Sequence, residues 1–135
     1  MGQGTKKVVV TENSRSFSVV TTDFASDSIH IDTSEFASLP SRCDFAVRVS
    51  SSMPKHFFFA ELKGNDVIKA AKQLVCTIEK LTALYKAYAH REAWVISGGW
   101  RPAVMTSFQI QRAKALKFGF DLKHRTRTMT VDLTR

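Results

Sequence analysis

Three side chains in the middle of the chain have the types and spacing of a divalent-metal site. Asp44 begins one apolar segment, and Glu61 and Lys63 end the next. Glu61 and Lys63 are two residues apart, so on a strand their side chains point to the same face. Two neighbouring carboxylates repel each other unless a cation neutralises them. Hard oxygen ligands without nearby His or Cys favour Mg²⁺ or Mn²⁺ over zinc, so the pattern predicts a site for one of these ions.

Such a site has the equipment to hydrolyse a phosphodiester. The ion binds a phosphate oxygen and lowers the pKa of a bound water, while a lysine beside it orients that water or stabilises developing negative charge. The backbone carbonyl of Leu62, between the two functional side chains, offers a further ligand. The alternative for Glu61 and for Lys63 individually is a cross-strand ion pair on a solvated sheet face. The apolar run at 57–59 disfavours that alternative, because it indicates a central strand.

These side chains meet only if two segments pair as a hairpin. Residues 44–50 and 56–63 have the composition of strands, and the Ser51-Ser52-Met53-Pro54-Lys55 segment between them is typical of a loop. Their pairing brings Asp44 beside residues 61–63. The loop fixes the register only to within about one residue, and a slip of one would turn Asp44 to the other face.

The rest of the pattern predicts an α/β domain with a mixed sheet and helices packed on it. An apolar stripe predicts a helix over about 66–89. The continuously apolar segment 93–97 predicts a buried strand that runs parallel to 56–63, because a helix connects the two. The other predicted elements are strands at 6–11, 16–22, 28–32 and 120–133, a helical turn at 33–36 limited by Pro40, and a helix over 106–118 that ends at Gly119.

The motif region resembles the PD-(D/E)XK nuclease superfamily. The resemblance lies in Arg42-Cys43-Asp44-Phe45, then Phe58-Phe59-Ala60-Glu61-Leu62-Lys63-Gly64, and then Ala70-Ala71-Lys72-Gln73-Leu74. That superfamily includes restriction endonucleases, Holliday-junction resolvases and many phage- or defence-associated nucleases, and the chain is similar to its small members. The resemblance covers about residues 42–97 and implies a restriction-endonuclease-like fold.

The resemblance also implies roles for individual residues. Asp44 and Glu61 would bind the divalent ion, Lys63 would position the attacking water, and Gln73 would lie near the site on the following helix. Many members carry another acid on an earlier helix. Glu35, on the predicted helical turn, is the best substitute, and Asp32 is nearly as good. Cys43 stands where the family motif has a proline.

The charge of the chain points to a polyanion as its partner. There are 20 Lys and Arg against 12 Asp and Glu, which gives a formal charge of +8 and a pI of about 9.8. A globular chain this basic commonly meets DNA, RNA or an acidic membrane surface. Two sets of residues are candidate phosphate contacts: Lys123, Arg125 and Arg127, which alternate along the last predicted strand, and Lys69 and Lys72 on the long helix. The alternatives are charges that protect an edge strand from aggregation and an ordinary solvated helix face.

Length and cysteine content indicate one intracellular domain. We expect residues 1–135 to form a single unit with a β-rich part (1–40), a motif core (42–97) and a helix with a basic strand (98–135). Cys43 and Cys76 form neither a metal spacing nor a disulfide framework, which favours reduced thiols in the cytoplasm. The four histidines show no metal-ligand spacing either.

The sequence therefore predicts an Mg²⁺- or Mn²⁺-dependent nuclease acting on DNA, with RNA not excluded. Because two sites address two strands, a homodimer is expected. Two alternatives stay open: a nucleic-acid-binding module of the same fold that lacks cleavage, and a protein-interaction module.

Overall fold

The computed structural model describes residues 4–12, 14–31, 43–50, 55–62, 66–98 and 105–134. Within these ranges the chain forms eight strands and three helices. In chain order they are β1 (Lys6–Glu12), β2 (Arg15–Thr21), β3 (Asp27–His30), β4 (Phe45–Val49), β5 (His56–Glu61), α1 (Val67–Lys80), α2 (Thr82–Tyr85), β6 (His90–Ser97), α3 (Met105–Leu116), β7 (Phe120–Thr126) and β8 (Thr128–Asp132). The predicted helical turn at 33–36, with Asp32, Glu35 and Lys63, lies outside the described residues.

A five-stranded mixed sheet in the order β3-β4-β5-β6-β7 carries the motif segments. Strand β4 pairs antiparallel with β3 and β5, whereas β5, β6 and β7 run parallel. The predicted hairpin of 44–50 with 56–63 is therefore confirmed, and so is the parallel strand at 93–97. Helices α1 and α2 fill the crossover from β5 to β6, as a parallel connection requires.

Strand β5 is buried on both faces of this sheet, which explains its continuous Phe run. Phe57 and Phe59 point to the helices, and the Phe59 ring lies 5.5 Å from that of Phe120. Phe58 points the other way and contacts Phe17, with ring centroids 5.7 Å apart. Phe17 belongs to a second sheet, of three strands in the order β1-β2-β8. The mixed α/β class is confirmed, but the described helices cover one face only and the second sheet covers the other.

The long helix predicted over 66–89 is wrong in its second half. Asp66 caps α1 by accepting a hydrogen bond from the Lys69 N–H at 3.0 Å, but the helix stops at Lys80. Leu81 has non-helical angles, and the chain turns so that Tyr85 packs into the core with its hydroxyl donating to the Ile78 carbonyl at 2.6 Å. Burial of this aromatic ring outweighs continuation of the helix. None of the described helices is long and apolar enough to cross a membrane.

The single strand predicted over 120–133 is also wrong. The segment forms β7 in the five-stranded sheet and β8 in the three-stranded sheet, where β8 pairs parallel with β2. The chain changes sheets at Arg127, whose φ of 65° is left-handed and ends the extended run. Polar and apolar residues alternate on both sides of this bend, so the pattern alone reads as one strand. Lys123, Arg125 and Arg127 consequently do not form one row on one strand.

Candidate active site

The two predicted metal-binding carboxylates lie across from each other on neighbouring strands. Phe45 pairs with Ala60, and continuing that register by one residue places Asp44 opposite Glu61. Both side chains are buried, each with 1% exposure. Ala46 and Phe59, the next residues of the same orientation, belong to the core beneath the helices. The two carboxylates therefore share the helix-covered face, and the register slip that would separate them does not occur.

The Asp44 carboxylate is tied to the end of β5. Its Oδ2 accepts a hydrogen bond from the Leu62 N–H at 2.9 Å, and the Asp44 carbonyl accepts one from the Ile31 N–H at 2.8 Å. Hydrogen bonds to a charged acceptor are stronger than neutral ones, so this contact fixes the carboxylate in place. The observed contact of Leu62 is made through its N–H, and the ligand role of its carbonyl stays a prediction.

Helix α1 holds the residue before Asp44. The Cys43 N–H donates to the Thr77 hydroxyl at 2.8 Å, and that hydroxyl donates to the Gln73 carbonyl at 2.8 Å. Gln73 is thus one helical turn before Thr77 on α1, and a role for its side chain in the site stays a prediction. The pattern gave no signal for Thr77, which interrupts the apolar stripe of α1 without any motif.

The negative charge of the two carboxylates affects the pKa of the Cys43 thiol. Its pKa is raised well above its ordinary value, first because the thiol is buried and then because the negative charge of Glu61 opposes thiolate formation. The charge of Asp44 acts in the same direction, whereas the Thr77 hydroxyl lowers the pKa. Cys43 is therefore a neutral thiol beside two carboxylates, which does not suit it to act as a nucleophile.

Ser97 and His124 lie at the same end of the sheet as the carboxylates, and the sequence did not predict them as site residues. The register places Glu61 opposite Val95 and Val95 opposite His124, so Glu61 and His124 occupy one row across the parallel strands. The Ser97 hydroxyl and His124 Nε2 are 2.7 Å apart. Partial burial lowers the pKa of His124, and Arg125 lowers it further. Since carboxyl ends of parallel strands are the usual ligand-binding edge of an open sheet, Ser97 and His124 belong to the candidate site.

The predicted phosphate contacts divide into two groups. Arg125 and Arg127 are exposed, and the Arg127 N–H donates to the Ser97 carbonyl at 2.9 Å, which places both arginines at the same edge as the carboxylates. Lys123 instead lies 3.6 Å from Glu92 and 3.5 Å from Asp121, near the beginning of β6 and β7. Lys123 and Arg125 keep the predicted alternation along β7, but the Lys123 ammonium lies beside two carboxylates, and its contact with phosphate stays a prediction.

Lys69 and Lys72 are exposed on the first turns of α1, the helix that follows β5. Their side chains leave the apolar stripe that packs on the sheet. They are free to meet phosphates that approach the end of β5, which agrees with the sequence prediction but does not test it.

The side chains near Asp44 and Glu61 decide whether a metal ion fits there. Within the described ranges no group of three or more His, Cys, Asp or Glu side chains is arranged to hold one. Asp44 and Glu61 nevertheless supply carboxylate oxygens, which are the donors that a hard cation prefers, and both are buried at the same end of the sheet. Glu35 and Lys63, the other members of the predicted set, lie outside the described residues.

Comparisons with known proteins identify no relative of this chain: no protein-family model, no curated protein and no solved structure matches it. The resemblance to the PD-(D/E)XK superfamily therefore depends on the motif residues alone.

Proposed function

We propose that the chain is a divalent-metal-dependent nuclease of the PD-(D/E)XK type that hydrolyses DNA phosphodiester bonds. The observation that carries the proposal is the placement of Asp44 and Glu61. Two residues 17 positions apart in sequence are both buried at the same end of the β4–β5 hairpin, Asp44 directly before β4 and Glu61 as the last residue of β5. If the Asp and Glu-x-Lys pattern were a coincidence, the two carboxylates would not be expected on the same face, because a slip of one residue in the strand register would separate them.

The roles that we propose for the individual residues are those that the family resemblance implies. Asp44, Glu61 and the Leu62 carbonyl would hold Mg²⁺ or Mn²⁺, with Glu35 as a further acidic ligand. When bound, such an ion supplies Lewis-acid activation of the phosphate and of a water. Lys63 would orient the water or stabilise negative charge as it develops. The Leu62 N–H fixes one oxygen of Asp44 in place.

Nucleic acid would approach the carboxyl ends of the parallel strands. Arg125 and Arg127 are exposed at that edge, and Lys69 and Lys72 are exposed on α1. These four cations meet backbone phosphates, and their contribution weakens steeply as salt rises because binding releases counterions. A homodimer is part of the proposal, since two such sites address the two strands of a duplex.

Cleavage assays test the proposal directly. Plasmid, single-stranded DNA, branched DNA and RNA are incubated with Mg²⁺ or Mn²⁺, with and without chelator. We expect Asp44→Asn and Glu61→Gln to abolish cleavage while DNA binding stays intact or becomes stronger, because each removes a metal ligand and a negative charge. Lys63→Ala should abolish turnover and spare metal binding. Asp121→Asn, the same chemical change at a surface ion pair, is the matched control and should cleave normally.

Binding assays over a range of salt complete the test. Arg125→Gln and Arg127→Gln should each flatten the salt dependence of DNA affinity by about one phosphate contact. Lys123→Gln is the control and should change it less, because its charge is paired with Glu92 and Asp121. Cleavage by Asp44→Asn at the wild-type rate would overturn the nuclease proposal.

The second candidate is a nucleic-acid-binding module without cleavage. The lack of a three-ligand metal group among the described residues favours it. DNA binding that survives Asp44→Asn, combined with no metal-dependent cleavage by the wild type, would select this function. Absence of nucleic-acid binding even at low salt would instead select the protein-interaction module.

A further inference from the structure

Two histidines meet at the end of the sheet opposite to the carboxylates. His56 is the first residue of β5 and His90 the first residue of β6, and the parallel register pairs them directly. Their rings stack with centroids 4.8 Å apart and an angle of 20° between planes. Because they come from separate strands joined by a helical crossover, no sequence spacing reveals the pair.

The surroundings leave both imidazoles open to a ligand. His90 is exposed and His56 is half-buried, with its other face stacked on Phe58 at 6.1 Å. Within the described residues, the ring nitrogens of His56 and His90 make no hydrogen bond. Glu92, the next residue on that face of β6, is already engaged: it accepts from Trp94 Nε1 at 2.9 Å and lies 3.6 Å from Lys123.

We propose that His56 and His90 form a two-imidazole site for a divalent first-row transition-metal ion, with Zn²⁺ as the representative ion. Imidazole is a preferred ligand of Zn²⁺, Cu²⁺ and Ni²⁺ and a poor one for Mg²⁺. Directly paired positions on neighbouring strands hold their Cβ atoms about 5 Å apart, and the broad χ2 torsion of His lets both rings turn a nitrogen towards one ion. Water completes the coordination, because no third ligating side chain joins the pair within the described residues.

This site is chemically distinct from the proposed magnesium site. It consists of nitrogen rather than oxygen donors and lies at the opposite end of β5 from Glu61. Zn²⁺ should therefore bind in the presence of excess Mg²⁺. It should also bind to Asp44→Asn protein, so the result does not depend on whether the chain is a nuclease.

Calorimetric titration of the full chain with Zn²⁺, in excess Mg²⁺ at neutral pH, tests the site. We expect His56→Gln and His90→Gln each to weaken the tightest Zn²⁺ binding by about tenfold or more, because each removes one of two protein ligands. His30→Gln is the matched control: His30 is also exposed and stacked, on Phe45 at 4.7 Å, but has no second imidazole beside it, and its loss should change nothing.

A measurement on the unmutated protein covers the case in which a variant does not fold. In an NMR spectrum of the imidazole groups, Zn²⁺ should shift or broaden the signals of His56 and His90 and leave those of His30 and His124 in place. Equal effects on all four histidines would overturn the proposal. Wild-type affinity in both His56→Gln and His90→Gln would overturn it as well.

Discussion

Magnesium should stabilise the fold, and Asp44→Asn should remove that effect. Opposed positions on neighbouring strands are about 5 Å apart. Two unit charges at that distance repel by about 3 kcal/mol at an effective dielectric constant of about 20. An ion at the proposed site between Asp44 and Glu61 would relieve this repulsion and would bind the folded chain rather than the unfolded one. At a Mg²⁺ concentration of about ten times the Kd, linkage adds about 1.4 kcal/mol to the free energy of unfolding.

Thermal unfolding measures this stabilisation without any nuclease assay. With an unfolding entropy of about 2.1 cal/mol/K per residue over 135 residues, 1.4 kcal/mol raises the Tm by about 5 °C. The wild type should show this rise on titration with Mg²⁺ or Mn²⁺. The Asp44→Asn variant should not, although its metal-free form should be at least as stable, because the amide oxygen still accepts from the Leu62 N–H and the repulsion is gone.

The control is Asp121→Asn, which removes an acidic side chain that is about half exposed and far from the site along the strand. It should retain the full Mg²⁺ response. The reasoning is refuted if Mg²⁺ leaves the wild-type Tm unchanged up to saturating concentrations, or if Asp44→Asn responds as strongly as the wild type.

Two further predictions concern the residues around the site. Thr77→Val should lower the free energy of unfolding by about 1–3 kcal/mol, because the buried Cys43 N–H loses its acceptor. Thr77→Ser, which keeps the hydroxyl, is the control. Equal urea midpoints for Thr77→Val and the wild type would contradict the assignment. The pKa of His124 is lowered in the folded state, so the unfolded chain binds more protons. The free energy of unfolding should therefore be complete above about pH 6.5 and fall as the pH drops below that value. Urea unfolding above and below pH 6.5 should show a smaller fall for His124→Gln than for the wild type.

Local patterns predicted the part of the fold that positions the candidate site. The loop chemistry at 51–55 and the two flanking apolar segments define the β4–β5 hairpin, and the helix after it requires a parallel β6. These features rest on residues close together in sequence. They place Asp44 and Glu61 at one end of the sheet, and the structure supplies the register that the loop left open.

The remaining features depend on partners that a local pattern does not identify. Alternation in β1, β2 and β8 predicts strands but not that they form a sheet of their own. The bend at Arg127 and the end of α1 at Leu81 are imposed by packing, against local periodicity. The Ser97–His124 and His56–His90 pairs join residues from separate strands, so neither has a sequence signature.

The pairing of β2 with β8 imposes an order on folding during synthesis. Ser16 and Thr128, whose hydroxyls are 2.8 Å apart, are separated by 112 residues. Until residues 128–132 leave the ribosome, β1 and β2 are a two-stranded ribbon with one side of β2 unpaired, and such a ribbon is marginally stable in water. Phe17 and Val19 then lack part of their cover while the rest of the chain is being made. The nascent chain is thus prone to aggregate through β1 and β2 until β8 has been made, and β8 is the strand that covers the open side of β2.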